Sequence, residues 1–317
     1  MEKQGALKKI DLQQLMAPAG LVIIFIAFSF LSENFLTVSN IMSILMSTTV
    51  SGVLAMGMTY CIIGGGMDLS VGTNMTLSMI IMALCMTSMG LPIMVSVLMG
   101  ILAGTFIGAV NGFLIARMKI PPFIQTLGMM YVCKGLALVI SGTRPVYLDN
   151  TWFLKVTTGT LIGSIPNGAI VLLIVSLIAY FLLGKTIFGR YTYAIGSNEE
   201  ATRLSGINVI RWKIAAYALS GAMAGIAAML TCSRLSSAQP SLGEGYEMEA
   251  IAACIIGGAS PKGGEGSVQG TVIGAFLMTV LLNGLRIMSV PAEWQTVVEG
   301  AVIILAVFLD IKRKGTK

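Results

Sequence analysis

Apolar residues run along this chain in ten long stretches, each closed by glycine, proline or charge. They lie at approximately 16–32, 41–63, 73–89, 93–116, 122–140, 167–184, 213–232, 248–260, 268–288 and 295–311. Runs of this length predict helices able to cross a hydrocarbon layer, where each segment must satisfy its own backbone hydrogen bonds. The eighth is short against the ~20 residues a crossing helix needs. It reads as tilted, broken or re-entrant, all of which are tolerated where the backbone is buried in protein or lines a cavity.

Composition agrees with a membrane chain. Only 11% of the 317 residues are charged against 56% hydrophobic, histidine is absent, and the mean hydropathy is +0.87. A soluble domain of this size could not hide that much apolar surface. The net charge of +6 is read as orientation rather than as a nucleic-acid site, because no basic run is interleaved with aromatics. With the N-terminus inside and ten crossings, fifteen Lys and Arg fall in cytoplasmic segments and four outside, with Lys134 left in a span. Both termini are therefore expected in the cytoplasm. The first stretch competes with a signal peptide, but it lacks a convincing small-x-small cleavage site before Glu33, and further spans follow. The five cysteines, widely separated within or beside apolar runs, read as buried hydrophobes without disulfide or metal spacing.

Two connections are too long for simple turns. The outer one, Ser141 to Pro166, carries Arg144, Asp149, Trp152 and Lys155 and could receive an external partner. The inner one, Lys185 to Lys213, holds the densest mixture of charges. Within it Ser197-Asn198-Glu199-Glu200-Ala201-Thr202-Arg203-Leu204-Ser205-Gly206 reads as a short helix. Ser197 or Asn198 caps it, both glutamates sit in its first turn, and Gly206 ends it. A solvated loop helix is the plain reading on sequence physics alone.

An internal echo suggests symmetry. Ile120-Pro121-Pro122-Phe123-Ile124-Gln125-Thr126 opens the fifth stretch and Val290-Pro291-Ala292-Glu293-Trp294-Gln295-Thr296 precedes the tenth; each follows an Asn-Gly pair, Asn111-Gly112 and Asn283-Gly284. A shift of five helices inverts one copy relative to the other, as in transporters built from inverted repeats. A second echo, Cys61-Ile62-Ile63-Gly64-Gly65 against Cys254-Ile255-Ile256-Gly257-Gly258, implies a six-helix shift and is read as a coincidence of glycine-rich helix ends.

Chemistry-bearing patterns are scarce. There is no Walker A sequence and no His/Asp/Ser set for nucleophilic catalysis, and the glycines of 257–264 have the wrong spacing for a phosphate loop. Asp68, between the second and third stretches, reads as the brace of a broken helix end, with direct ion or substrate contact as the alternative. Glu299 and Lys134 are the other embedded charges; each either snorkels or faces the bundle interior. So few such groups argue that energy comes from outside this chain. The 22 methionines read as packing or as an adaptable pore lining, and the 37 glycines as sites of close helix approach.

Gly65-Gly66-Met67-Asp68-Leu69-Ser70-Val71-Gly72 resembles the GGIDLSVG signature of ribose/arabinose/xylose/galactose-type permeases of bacterial ABC importers. Three further stretches resemble the same family, in its order. They are Asn111-Gly112 through Pro121-Pro122-Phe123 to Thr126-Leu127-Gly128, then Gly196-Ser197-Asn198 through Ala201 to Ser205-Gly206-Ile207, and Tyr246-Glu247 with Glu249-Ala250 through Gly257-Gly258 to Gly266-Ser267. Together they cover roughly residues 18 to 310.

The resemblance implies an all-α integral membrane protein of about ten transmembrane helices, with a fold related to the vitamin B12 importer permease. It implies one permease domain over 1–317, with a cytoplasmic N-terminal segment 1–15, a coupling loop at 185–213 and a cytoplasmic tail 312–317. The implied setting is the bacterial inner membrane. The implied partners are membrane lipid, a second permease copy, an external sugar-binding protein and a separate ATPase that uses ATP and Mg, this chain binding no cofactor, metal or nucleic acid. Gly196, Asn198, Glu200, Ala201, Ser205 and Gly206 are then the ATPase-coupling helix. The second Ala of the wider superfamily's pattern is Thr202 here, and no Ile-x-Leu-Pro follows. Gly65, Gly66, Asp68, Ser70, Asn111, Pro121, Pro122, Phe123 and Thr126 are the translocation path or helix-break motif. The spans offer few carboxylates, amides or aromatics for sugar hydroxyls, so sugar selection is expected to rest on the external binding protein.

Overall fold

A computed structural model describes residues 12–163 and 165–314. Lys3, Lys8, Lys9 and Lys317, with most of the two expected terminal segments, lie outside the described residues. The helices are α1 (Leu12–Leu31), α2 (Val38–Ile63), α3 (Val71–Thr87), α4 (Ile93–Met118), α5 (Pro122–Ser141), α6 (Thr151–Thr158) and α7 (Asn167–Lys185), then α8 (Ile187–Ser197), α9 (Glu199–Leu204), α10 (Val209–Leu235), α11 (Tyr246–Ile256), α12 (Val268–Ile287) and α13 (Ala292–Lys314). Four short strands complete them: β1 (Val146–Tyr147), β2 (Thr160–Ile162), β3 (Ile165–Pro166) and β4 (Ser237–Ala238). β1 pairs antiparallel with β4, and β2 with β3.

The ten expected stretches coincide with α1–α5, α7 and α10–α13, and the two long connections hold α6 and the pair α8 and α9. Among the described residues, six helices, α2, α4, α5, α7, α10 and α12, are long and apolar enough to cross a membrane. The apolar parts of α1 (17–31) and α3 are shorter, and the eighth stretch forms an 11-residue helix that stops at Ile256 rather than continuing to 260. Gly257 and Gly258 stop it: Gly258 has φ +92°, and Ala259 N–H returns to the Cys254 carbonyl. The Gly64-Gly65 end of α2 has the same geometry, with Gly65 at φ +82° and Gly66 N–H returning to the Cys61 carbonyl. The second sequence echo is thus one stop motif used twice.

The helices sort into an inner and an outer set. In α2, 67% of the most apolar window is buried, against 22% in α4 and 17% in α5. The outer helices expose Phe106, Val139, Phe181 and Ile304, a surface that suits lipid and not water. The first echo has a counterpart in packing: α2 against α12 matches α10 against α4, α3 against α4 matches α11 against α12, and α2 against α11 matches α10 against α3. That pairing relates α2–α5 to α10–α13.

Small residues set the tightest contact. Along α4, Ser96, Gly100, Gly104, Gly108 and Asn111-Gly112 form a buried stripe facing α3 and α10. A Cβ on Gly104 would stand 2.5 Å from the Gly221 carbonyl oxygen, and one on Gly112 2.6 Å from the Ile214 Cα. The backbones therefore touch, as in lipid, where association depends on close van der Waals approach.

Candidate functional site

Between α2 and α3 the chain leaves the helix for residues 64–70; Gly65 is exposed, but the segment turns inward to Asp68, Leu69 and Ser70, where the freed backbone must be satisfied. Asp68 and Ser70 are fully buried. Asp68 Oδ1 accepts from Ser70 N–H at 3.1 Å and from Ser70 Oγ at 2.6 Å, and Oδ2 accepts from Ser220 Oγ of α10 at 3.0 Å. Ser70 Oγ accepts in turn from Asn111 Nδ2 at 2.9 Å, and Asn111 Oδ1 from Gln125 Nε2 at 3.2 Å. The Met67 carbonyl takes bonds from Thr126 Oγ1 and Tyr217 Oη, both at 3.4 Å. One connected network thus ties the break to α4, α5 and α10. Each hydrogen bond of the Asp68 carboxylate is to Ser70 of the break or to Ser220.

A second break faces the first. Residues 239–245 run from β4 to the start of α11, and their Gly243 packs on Gly72 of α3 so closely that a methyl on either would strike the other's backbone. Thr76 Oγ1 donates to the Leu242 carbonyl. Glu247, 7% exposed, folds its carboxylate back onto Gly245 N–H at 3.1 Å and lies beside Gly72. The N-terminal ends of α3 and α11 therefore meet inside the bundle, each with its own acid, an arrangement suited to the positive helix ends. Lys134, left unassigned between snorkelling and the interior, pairs with Glu244 of this second break, with both side chains partly exposed.

At one end of the bundle, three segments converge on the last turn of α2. Gly196 of α8 lies against the Ile63 carbonyl, Gly264 N–H donates to that carbonyl at 2.8 Å, and Gly263 packs on Gly65 and Gly196. Stacked aromatics fix α8 further: Tyr60 on Phe188 with centroids 5.2 Å apart, Phe188 on Trp212 at 5.9 Å, and Tyr191 edge-on to Trp212 at 5.2 Å. Tyr193 Oη donates to the Gly266 carbonyl at 2.7 Å, and burial pushes its phenol up, so it remains a donor at neutral pH.

α9 projects from this junction. Asn198 is its cap, Oδ1 accepting from Ala201 N–H at 2.9 Å, while Ser197 ends α8 instead. Glu200 pairs with Arg203 on the exposed side, Ser205 Oγ donates to the Ala201 carbonyl at 2.9 Å, and Gly206 closes the helix at φ +80°. Glu199 reaches Lys213 Nζ at 2.5 Å, tying α9 to the start of α10. Leu204 stands 78% exposed and nothing lies within 4 Å of a Cβ built on Gly206, so this face is open.

The sequence-selected residues fall into two groups. Gly65, Gly66, Asp68, Ser70, Asn111 and Thr126 meet at the first break; Pro121 caps α5, and Pro122, its first residue, packs beside Gly66. Phe123 is exposed and stands outside that network. Ser220 and Tyr217 had no distinguishing motif, since a serine and a tyrosine in an apolar stretch are unremarkable until the fold opposes them to Asp68 and Met67.

A multi-pass bundle with an interior helix break and an exposed, capped helix at one end is the build of a membrane transport subunit. Comparison with known proteins agrees. Residues 40–307 match the family described as branched-chain amino acid transport system / permease component. The ribose import permease of Haemophilus influenzae is 40% identical over 301 residues, covering 94% of this chain and 92% of that protein. The ribose import permease of Bacillus subtilis is 41% identical over 306 residues, covering 96% and 94%, and the xylose transport system permease of Escherichia coli is 33% identical over 371, covering 98% and 94%. This chain belongs to that permease family.

Proposed function

We propose that this chain is the membrane-spanning subunit of an ATP-driven importer that passes a monosaccharide, ribose or a similar pentose or hexose, inward. The similarity to two ribose import permeases, 40% and 41% identical over more than nine-tenths of each chain, carries the reading. In it the chain crosses the inner membrane ten times with both termini cytoplasmic, in a fold of the vitamin B12 importer kind, and works with a second permease copy. An external binding protein delivers the sugar. A separate ATPase, using ATP and Mg, docks on α9 and its flanks, with Asn198, Glu200, Ala201, Ser205 and Gly206 forming the contact and Gly196 the rigid joint behind it. The first break, from Gly65 to Ser70 with Asn111, Pro121, Pro122 and Thr126, is the element moved.

Proteoliposomes test this directly. Labelled ribose is expected to accumulate only when this chain, its ATPase, the binding protein and internal-facing ATP are all present. Accumulation by the chain alone would identify a stand-alone carrier. ATP-dependent uptake of leucine or a nucleoside in place of ribose would reassign the cargo within the family.

A further inference from the structure

A cavity of about 180 Å³ lies among α2, α10, α11 and α12, at the end of the bundle that carries the β1–β4 pair. A single water needs only roughly 10–15 Å³ by this measure, so the space takes a molecule. Its walls are unlike the rest of the interior. Arg234, Glu249 and Arg286 line it together with Tyr246, Ser47 and Thr279. Arg234 reaches Ser47 Oγ through both terminal nitrogens at 3.4 Å, and Arg286 turns its Nε to Gln295 at 3.3 Å. The Glu249 carboxylate makes no hydrogen bond or ion pair among the described residues, although Arg286, Glu299 and Glu247 all lie within electrostatic reach of it.

We infer that this cavity is a binding site for a neutral polyol, a monosaccharide held on its way through the subunit. The charges select the class. An anion drawn by the two guanidinium groups would meet the Glu249 carboxylate, and a cation drawn by Glu249 would meet the guanidinium groups. A molecule that both donates and accepts hydrogen bonds satisfies both at once. Planar carboxylate and guanidinium groups with an adjacent aromatic ring are the side chains that read sugar hydroxyls and the sugar's C–H face. The site deepens the proposed function and rests on it, giving the permease a share in sugar selection that its sparse polar composition did not suggest.

The test uses proteoliposomes with the full complex and labelled ribose. Glu249→Gln, which keeps shape and removes charge, and Val50→Phe, which fills the space from its buried wall, are each expected to cut uptake at least five-fold at saturating binding protein. Thr279→Cys supplies a reading independent of transport and of how well those two variants assemble: millimolar ribose is expected to slow its modification by a small thiosulfonate at least three-fold. Wild-type uptake in both variants, or modification of the cysteine at the same rate with and without ribose, overturns the site. A wild-type complex that moves no ribose under ATP refutes the proposed function instead.

Discussion

Replacing Gly196 by alanine probes the joint between α9 and the first break. A Cβ there would stand 2.5 Å from Gly264 N and press on the Ile63 carbonyl oxygen. Real Cβ atoms keep at least 3.0 Å, so the end of α8 must move away from α2 or the 263–264 turn must lift. Overpacking of this kind costs about 1–3 kcal/mol. Losing the 2.8 Å bond from Gly264 to Ile63 adds about 1 kcal/mol. Alanine's better helix propensity returns up to about 1 kcal/mol. The net is a destabilisation of about 1–3 kcal/mol, concentrated where α9 is held. Gly184, near the end of α7, has nothing within 4 Å of a built Cβ, so Gly184→Ala makes the same chemical change without the clash. Thermal unfolding of the purified complex in lipid is expected to show Gly196→Ala lowered by several degrees and Gly184→Ala unchanged or raised. ATP-driven ribose uptake is expected to fall several-fold in the first and to hold in the second. Equal Tm and equal uptake for the two variants would refute the claim that α8 is keyed to α2 through a backbone contact.

Asp68→Asn replaces one acceptor oxygen by a donor where Ser70 and Ser220 both donate, costing about 1–3 kcal/mol and lowering the yield of folded complex; normal yield with lost uptake would favour direct contact with cargo over bracing. Gly206→Leu meets open space but a left-handed backbone, so strain of about 1–2 kcal/mol is expected to leave membrane insertion intact while ribose uptake separates from ATP hydrolysis, and unchanged uptake with unchanged ATPase stimulation removes Gly206 from the ATPase contact. Gly108→Leu would drive a side chain into the Tyr217 carbonyl across the α4–α10 contact, and is expected to abolish folded yield by detergent gel filtration. Lys134→Ala, removing a partly exposed pair, is expected to shift stability by less than about 1 kcal/mol, seen as a Tm change within a few degrees.

Helix positions were legible because lipid demands long apolar runs with clear punctuation, and Gly64-Gly65, Pro121-Pro122 and Gly257-Gly258 stand at real helix ends. The α9 cap was legible because Asn198, the two glutamates and Gly206 are local signals. What could not be read was long-range opposition. Ser220 meets Asp68 across 152 positions, and the Ile63 carbonyl meets Gly196 and Gly264 from separate connections. The cavity arginines, 52 positions apart, counted only as outward-loop charges. Neither period nor spacing encodes such meetings, since they depend on how the two halves fold against each other.

That opposition also shows which contacts would carry a load from α9, were the proposed ATPase to dock there, into the bundle interior. α9 is held behind by Glu199 on Lys213 near the root of α10, and by Asn198 two residues after the Gly196 joint. The joint bears on Ile63 and Gly65, the latter three residues from Asp68 in the same break, and Lys213 lies near the start of the helix whose Ser220, two turns on, bonds the Asp68 carboxylate. A push on α9 therefore reaches Asp68 by two routes, one through the end of α2 and one through α10. Packed backbone contacts transmit displacement with little compliance, and the break lies between the two routes without a continuous helical ladder of its own. Moving α8 and α10 together would translate the break intact, whereas moving one against the other would stretch the 3.0 Å bond from Ser220 to Asp68. The double variant Ser220→Ala with Gly196→Ala separates the cases: losses of uptake that multiply indicate independent routes, and a double variant no worse than Gly196→Ala alone indicates one.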